Sequence, residues 1–166
     1  AATVALNMRC YRLQALAAPQ VSGDLRFAEA ADIPLLAAME RNFIAEANPY
    51  QEDDDGHRRR VVQSLALGNA HGIWTDGGDF RAMARASLPQ RGMSRVGMVY
   101  TPPEHRRHGY GAAVTAAVSD WALRQGAEDV VLFTDLANPT SNSIYQSIGY
   151  TPVYDAVEYR FPTTVG

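Results

Sequence analysis

The residues with the clearest chemistry are two arginines and two glycines in the segment Arg106-Arg107-His108-Gly109-Tyr110-Gly111. An apolar run at residues 96–101 precedes them and predicts a buried strand, which the proline pair at residues 102–103 ends. Apolar residues at helical spacing over residues 112–123 predict a helix that begins at or near Gly109. Glycines open the backbone to a ligand, and the free N–H groups and dipole of a helix N-terminus favour an anion. The turn is therefore predicted to bind phosphate.

The spacing of these residues narrows the kind of phosphate ligand. The segment lacks the Gly-Lys-Ser/Thr ending of a Walker loop and the three spaced glycines of a dinucleotide-binding fingerprint. It does contain Arg-x-x-Gly-x-Gly, with Pro103 three residues before the arginine. This pattern resembles the acetyl-CoA pyrophosphate signature of the GNAT superfamily of N-acetyltransferases.

A second motif lies downstream, after a predicted strand at residues 129–134. Residues 138–150 read Asn-Pro-Thr-Ser-Asn-Ser-Ile-Tyr-Gln-Ser-Ile-Gly-Tyr. They are similar to the other conserved segment of the superfamily, Asn-x-x-Ala/Ser-x-x-Leu/Ile-Tyr-x-x-x-Gly-Phe/Tyr. The order of elements resembles the superfamily over residues 25–161, and the specific motifs lie between residues 96 and 150.

The resemblance implies an α/β (α+β) fold, with a mixed and mostly antiparallel sheet flanked by helices and a splayed central pair of strands. The pattern of the chain is compatible with it. Residues 25–28 predict a strand, Asp32 an N-cap for a first helix, and residues 73–88 a hairpin around a glycine turn. A second helix is predicted to end near Gly68, and residues 153–161 to form one or two terminal strands.

The chemistry implied by the resemblance is transfer of the acetyl group of acetyl-CoA to a primary amine, by direct attack in a ternary complex. Tyr145 matches the position of the general acid. A phenol with a pKa of about 10 keeps its proton at neutral pH and can give it to a departing thiolate. A packing role stays open, because Ile144 and Ile148 form an apolar stripe beside this tyrosine.

The cofactor-binding positions follow from the same resemblance. The backbone of the predicted strand pairs with the amides of the pantetheine arm, like an added strand; the matching positions are Val99, Tyr100 and Thr101. The turn and the start of the helix hold the pyrophosphate; the positions are Arg106, Arg107, His108, Gly109, Tyr110, Gly111 and Ala112. Asn138 caps the next helix, and near its start the hydroxyls of Ser141 and Ser143 are candidates to bond the pantetheine arm.

The general base is not identified by the sequence. Many members of the superfamily use a glutamate on the strand that here spans residues 96–101, and this strand carries no acid. Glu40 and Glu46 are candidates for a base that acts through water, or else are solvated helix residues. The acidic run at residues 53–55 either attracts a cationic substrate or serves a helix dipole.

Other chemistry is not indicated. His105 and His108 lie three residues apart without a third ligand, so no metal is predicted. Cys10 has no evident partner base, so the sequence does not support an acyl-cysteine intermediate.

Composition gives the outer limits. A chain of 166 residues suggests one domain, and a net charge of −3 argues against nucleic-acid binding. No apolar run has membrane-spanning length, and a single cysteine fits the reducing cytoplasm. The expected partner is a small-molecule or peptide amine acceptor, and a homodimer is left open.

The first 23 residues are predicted to be an N-terminal extension or the remnant of a longer chain, with the acyltransferase domain at residues 24–166. The strand-like segment at residues 8–13 is expected to pack on an edge of the domain or on a partner chain, and the natural polypeptide to extend further toward the N-terminus. The alternative for this segment is a frayed tail. For the domain as a whole, the alternative to an enzyme is a CoA-binding module without turnover, a sensor or a regulatory part of a longer protein.

Overall fold

A computed structural model describes residues 2–47 and 56–162. The strands are β1 (Thr3–Leu13), β2 (Asp24–Phe27), β3 (Ala70–Asp76), β4 (Asp79–Ala86), β5 (Met93–Tyr100), β6 (Asp129–Asp135) and β7 (Tyr150–Arg160). The helices are α1 (Ile33–Ala47), α2 (Gly56–Ala66), α3 (Tyr110–Arg124) and α4 (Pro139–Ser147). Short 3₁₀ turns precede α1 at Ala30–Asp32 and follow β5 at Pro103–His105.

The seven strands form one sheet in the order β2-β3-β4-β5-β6-β1-β7. All neighbours are antiparallel except β5 and β6, which are parallel and joined by α3. Such a crossover needs a helix-sized connection, whereas β3 and β4 are joined by a tight turn. The predicted mixed, mostly antiparallel sheet with flanking helices is confirmed.

The parallel pair β5 and β6 separates partway along its length. The two strands pair over four positions, from Met93 with Asp129 to Val96 with Leu132. Beyond Val96, β5 continues along β4 as far as Tyr100, while β6 continues along β1. The predicted splayed pair is confirmed, and its opening leaves one backbone edge of β5 unpaired by β6.

Helices cover both faces of the sheet. On one face α3 and α4 pack on an apolar core that includes Tyr11, Val96, Val114, Val118, Val130, Leu132, Ile148 and Tyr150. Small side chains let α3 lie close to β4; they are Ala82, Ala84 and Ala86 on the strand and Ala112, Ala116 and Ala122 on the helix. On the other face α1 and α2 cover β3, β4 and β5, around Leu36, Val61, Ile73, Met83 and Tyr100.

Strand β1 corrects the predicted place of the N-terminal segment. The segment is a strand, but it does not lie at an edge of the sheet, because it pairs with β6 on one side and with β7 on the other. Tyr11 of β1 is 0% exposed. Neither residues 8–13 nor the rest of β1 is a frayed tail. The domain boundary after residue 23 stays a prediction, although β1 shares its sheet with strands from residues 24–166.

The first helix begins differently from the prediction. Asp32 is not the N-cap but the last residue of the 3₁₀ turn, where it forms a reciprocal capping box with Glu29 and a fork to Arg26 at 2.7 and 2.8 Å. The acidic run at residues 53–55 lies outside the described residues. The tail is one strand, β7, which begins three residues earlier than predicted.

Among the described residues, no helix combines the length and the apolar character needed to cross a membrane.

A buried histidine predicts the acid sensitivity of this fold. His71 on β3 is 7% exposed and its Nε2 lies 2.8 Å from the hydroxyl of Ser64. Burial, together with the positive charge of Arg85, lowers the pKa of His71 from 6.5 to about 4. The unfolded chain therefore binds a proton that the folded chain rejects between these two pH values. The stability that neutral His71 contributes is fully present above pH 6.5 and is lost as the pH falls toward 4.

We expect His71 to account for about 2–3 kcal/mol of lost stability over that interval. Urea unfolding of the wild type and of His71→Gln at a series of pH values measures this. The variant is expected to lose stability less steeply between pH 6.5 and 4. The exposed His108→Gln serves as the control and should keep the wild-type slope. Parallel slopes for wild type and His71→Gln would contradict the assignment.

Candidate active site

The predicted phosphate turn connects the end of β5 to the start of α3. Arg107 and Gly109 both have positive φ, 69° and 81°. Among the described residues, no hydrogen bond uses the backbone N–H of Arg107, His108 or Gly109. The first N–H groups of α3 also lack intrahelical acceptors. The turn therefore presents a run of backbone donors at a positive helix end, an arrangement suited to an anion.

The two glycines of the turn have different structural requirements. Gly109 caps α3 with φ 81° and ψ 6°, a left-handed conformation that disfavours other residues, and an added Cβ would lie 3.1 Å from Val21. Gly111 lies inside the helix without a positive φ, and an added Cβ would meet only the hydroxyl of Thr101, at 3.4 Å. The fold needs glycine at position 109 but does not need it at position 111.

Arg106 is held by an acid that the sequence did not connect with it. Its Nη2 donates to both carboxylate oxygens of Glu46 on α1, at 2.8 and 2.7 Å, and its Nε donates to the carbonyl of Thr101 at 2.9 Å. Tyr100 donates to the same carboxylate at 3.3 Å. Glu46 therefore compensates the charge of Arg106, and the backbone donors are left as the clearest phosphate ligands of the turn. A phosphate role for Arg106 and Arg107 stays a prediction.

The side chains at the start of α3 are fixed by neighbours. The rings of His108 and Tyr110 stack at 5.5 Å with an interplanar angle of 15°. Nδ1 of His108 lies 2.8 Å from the carbonyl of Arg106, so this nitrogen carries the proton. The hydroxyl of Tyr110 donates to Asp76 at 2.6 Å, and this bond lowers the pKa of Asp76. These contacts hold the turn against the end of β3.

The open edge of β5 lies beside a β-bulge. Gly97 pairs with Arg85, and Tyr100 pairs with Met83, so two residues of β5 face one residue of β4 between these pairs. Met98 has φ 50°, in the left-handed region. The bulge rotates the backbone that follows Val96, where β6 has already separated. Val99 and Tyr100 follow the point where β6 separates, and the carbonyl of Thr101 accepts from Arg106. The pantetheine contacts at Val99, Tyr100 and Thr101 stay a prediction.

Tyr145 belongs to α4, and its side chain packs into the apolar core between this helix and the sheet. The residue is 9% exposed, and its ring meets Tyr150 edge to face at 6.4 Å. Burial raises the pKa of Tyr145 from 10 to about 12. Within the described residues no group hydrogen-bonds to its hydroxyl. The phenol thus keeps its proton at neutral pH and its hydroxyl is free to donate, although the raised pKa makes it a weaker acid than an ordinary tyrosine. The packing role and the acid role remain compatible.

The start of α4 is held by an amide network that the sequence did not reveal. Asn138 caps the helix by accepting from the N–H of Ser141 at 3.2 Å. Asn142 donates to the carbonyl of Asn138 at 3.0 Å, and its own Oδ1 accepts from the hydroxyls of Tyr11 (2.9 Å) and Thr134. Strand β1 therefore fixes the segment that carries Asn138, Ser141 and Tyr145. The capping by Asn138 was predictable from local sequence, whereas a contact 131 residues away was not.

The two candidate bases have different environments. Glu46 is half exposed and paired with Arg106, at the end of β5. Glu40 is 3% exposed, so the interpretation as a solvated residue is wrong for it. Oε1 of Glu40 accepts from Arg60 at 3.3 Å, and another Arg60 N–H donates to Nδ1 of His57 at 2.9 Å. A direct base is therefore not identified, and Glu46 lies nearer the turn.

In the part of the chain that the structure describes, no group of three or more His, Cys, Asp and Glu side chains is arranged to bind a metal ion. Cys10 is buried on β1, opposite Phe133 of β6 and Tyr154 of β7. In the sheet order β1 lies next to β6, one of the two strands that border the opening between β5 and β6.

A parallel strand pair that opens beside a glycine turn and a helix N-terminus is the arrangement of the GNAT superfamily of N-acetyltransferases, and solved structures of that class share this fold. The chain belongs to the FR47-like family of this class, whose family model, described as FR47-like protein, matches residues 70–160.

Individual relatives extend over different shares of the chain. A GCN5-related N-acetyltransferase from Kribbella flavida has a TM-score of 0.72 and 22% identity, and covers 95% of this chain and 59% of its own. A predicted acetyltransferase from Clostridium acetobutylicum, solved with acetyl-CoA, has a TM-score of 0.63 and 16% identity over 77% and 89% of the two chains. The aminoglycoside N(6')-acetyltransferase type 1 of Serratia marcescens is 34% identical over 62 residues, which are 37% of this chain and 42% of that enzyme. The chain thus spans less than half of this curated relative and less than two thirds of the Kribbella protein.

Proposed function

We propose that this protein is an N-acetyltransferase that moves the acetyl group of acetyl-CoA to an amine acceptor, in the cytoplasm. The observation that carries the proposal is the opening between β5 and β6 directly beside the donor-rich turn at the start of α3. An extended cofactor with a pyrophosphate at one end and amides along its arm fits this arrangement. Membership of the FR47-like family supports the same conclusion.

The cofactor is assigned to the turn and to the open strand edge. Backbone N–H groups of residues 107–112 hold the pyrophosphate, because they lack other acceptors and lie at a positive helix end. The pantetheine amides pair with the backbone of β5 at Val99 and Tyr100, beyond the bulge. Asn138 and Ser141 lie at the start of α4 and are assigned to the pantetheine arm by the motif that they match.

The chemistry assigns the leaving-group proton to Tyr145. A neutral amine attacks the thioester carbon, the tetrahedral intermediate collapses, and the C–S bond breaks. The departing thiolate takes the proton of the Tyr145 hydroxyl, which burial keeps protonated. The amine must lose its own proton; Glu46, which is bonded to Arg106 and Tyr100 at the end of β5, is our candidate to accept that proton through water.

A screen of acetyl-CoA-dependent thiol release tests the proposal. The acceptors are amines, amino acids, peptides and aminoglycosides, the last because the Serratia relative is named for them. We expect at least one class of amine to give turnover, and we expect the protein to bind CoA. Tight CoA binding together with no turnover across the whole panel would instead favour the alternative, a CoA-binding module without catalysis.

A further inference from the structure

One face of β5 is open where it leaves β6. A Cβ built on Gly97 would meet no atom within 4 Å. Gly97 pairs with Arg85 of β4, and directly opposed residues of antiparallel strands project to the same face of a sheet. Met83, two residues from Arg85, packs under α1 and α2, which identifies the face. Arg95, two residues before Gly97, lies on that face as well. The open space is therefore flanked by two guanidinium groups.

The guanidinium of Arg85 is not held by a salt bridge in the part of the chain that the structure describes. Within the described residues it makes no hydrogen bond and no ion pair, although it is only partly exposed. Glu40 lines the same cavity as Arg85 and Met98, but it accepts a hydrogen bond from Arg60 at 3.3 Å. Burial lowers the pKa of Arg85; the negative charge of Glu40 opposes this effect, and the positive charge of Arg95 adds to it. Arg85 and Arg95 together give this face an excess of positive charge.

Arg95 continues the charged site into an apolar groove. Its guanidinium lies over the ring of Phe133, 4.6 Å from the centroid. The groove beside it runs across β6, β1 and β7, and Val131, Phe133, Val153 and Tyr154 are among its lining residues. A molecule lying here would meet two guanidinium groups at one end and aromatic and aliphatic side chains along its length.

We propose that the acceptor amine carries a carboxylate next to an apolar or aromatic group, and that Arg85 and Arg95 bind this carboxylate. This inference rests on the proposed function, since it places the acceptor at the open face of β5. A guanidinium that lacks a partner in a partly desolvated site gains from a carboxylate, which matches its fork of N–H donors. A polycationic acceptor would instead be repelled by both arginines.

A pair of probes that differ only in the carboxylate tests the inference without requiring turnover. N-acetyl-L-phenylalanine and its amide have the form of reaction products, and their binding to the CoA-saturated protein is measured by calorimetry or by NMR titration. We expect the acid to bind at least about 10-fold more tightly than the amide, because a hydrogen bond to a charged group contributes about 1.5–3 kcal/mol. Equal affinities, tighter binding of the amide, or no binding of either probe would overturn the inference.

The variants assign the preference to particular residues. Arg85→Gln is expected to reduce the affinity for the acid by about 10-fold or more and to leave that for the amide unchanged. Arg124→Gln, on the exposed surface of α3, is the matched control and should retain the wild-type preference. If Arg85→Gln fails to fold, the exposed Arg95→Gln is used, with the same expected loss. A full preference for the acid in these folded variants would contradict the assignment.

The same samples separate this inference from the proposed function. Thiol release with phenylalanine and with phenethylamine, which lacks the carboxylate, reports on catalysis independently of the binding constants. Transfer to both amines at equal efficiency would support the acetyltransferase activity and contradict the carboxylate site. Selective binding of the acid with no transfer to any amine would support the carboxylate site and contradict the proposed activity.

Discussion

Replacing Tyr145 with phenylalanine is expected to lower the rate of acetyl transfer by about 10²–10⁴-fold, the usual contribution of one positioned general acid. The change removes only the hydroxyl, and that hydroxyl has no hydrogen-bond partner among the described residues, so the core should remain packed. CoA affinity and thermal stability should therefore change little. Single-turnover kinetics with saturating acetyl-CoA give the test, because product release can hide a slower chemical step.

The neighbouring phenol supplies the control for this prediction. Tyr150 packs edge to face against Tyr145 and its hydroxyl lies 2.7 Å from that of Ser119, inside the core. Tyr150→Phe removes a hydroxyl from the same cluster and should cost stability of about 1 kcal/mol while leaving the transfer rate nearly unchanged. Full single-turnover activity in Tyr145→Phe would exclude this tyrosine as the acid. An equal loss of rate in both variants would point to packing and not to proton transfer.

The second large effect concerns Gly111. Gly111→Val is expected to weaken CoA binding by more than about 100-fold, because the side chain would keep the pyrophosphate from at least two backbone donors. The fold should tolerate the change, since the position has no positive φ and the nearest atom to an added Cβ is the hydroxyl of Thr101 at 3.4 Å. Calorimetric titration with CoA measures the affinity, and circular dichroism with thermal melting verifies the fold.

Two further valine variants separate ligand effects from helix effects. Ala117→Val introduces the same side chain at a half-buried position of the same helix, six residues from Gly111, and should retain CoA affinity. Gly109→Val should instead lower the melting temperature, because the left-handed cap and the nearby Val21 oppose a side chain there. Wild-type CoA affinity in a folded Gly111→Val would show that the pyrophosphate binds elsewhere.

Much of this protein follows from local sequence. The alanine-rich spacing of α3, the Asn-Pro start of α4 and the β-branched run of β6 each specify an element through contacts among near neighbours. Motif order was enough to predict the glycine turn and the splayed strand pair, whereas the packing of Tyr145 in the core was only the alternative that its apolar neighbours left open. The boundaries differ from the prediction mainly at strand ends, where pairing partners decide the length.

The arrangement of distant residues was decided only by tertiary structure. The local sequence of Thr3–Leu13 does not indicate that this strand lies between β6 and β7. The hydroxyl of Tyr11 in this strand donates to Asn142, which is 131 residues away in the sequence. The pairing of Glu46 with Arg106 spans 60 positions, and the left-handed Met98 arises from a register shift against β4. Each depends on which strands and helices become neighbours. Periodicity in the sequence indicates which face of an element is apolar. Whether a charged side chain has an ion-pair partner, as Arg106 does, or has none among the described residues, as with Arg85, is decided only when the sheet assembles.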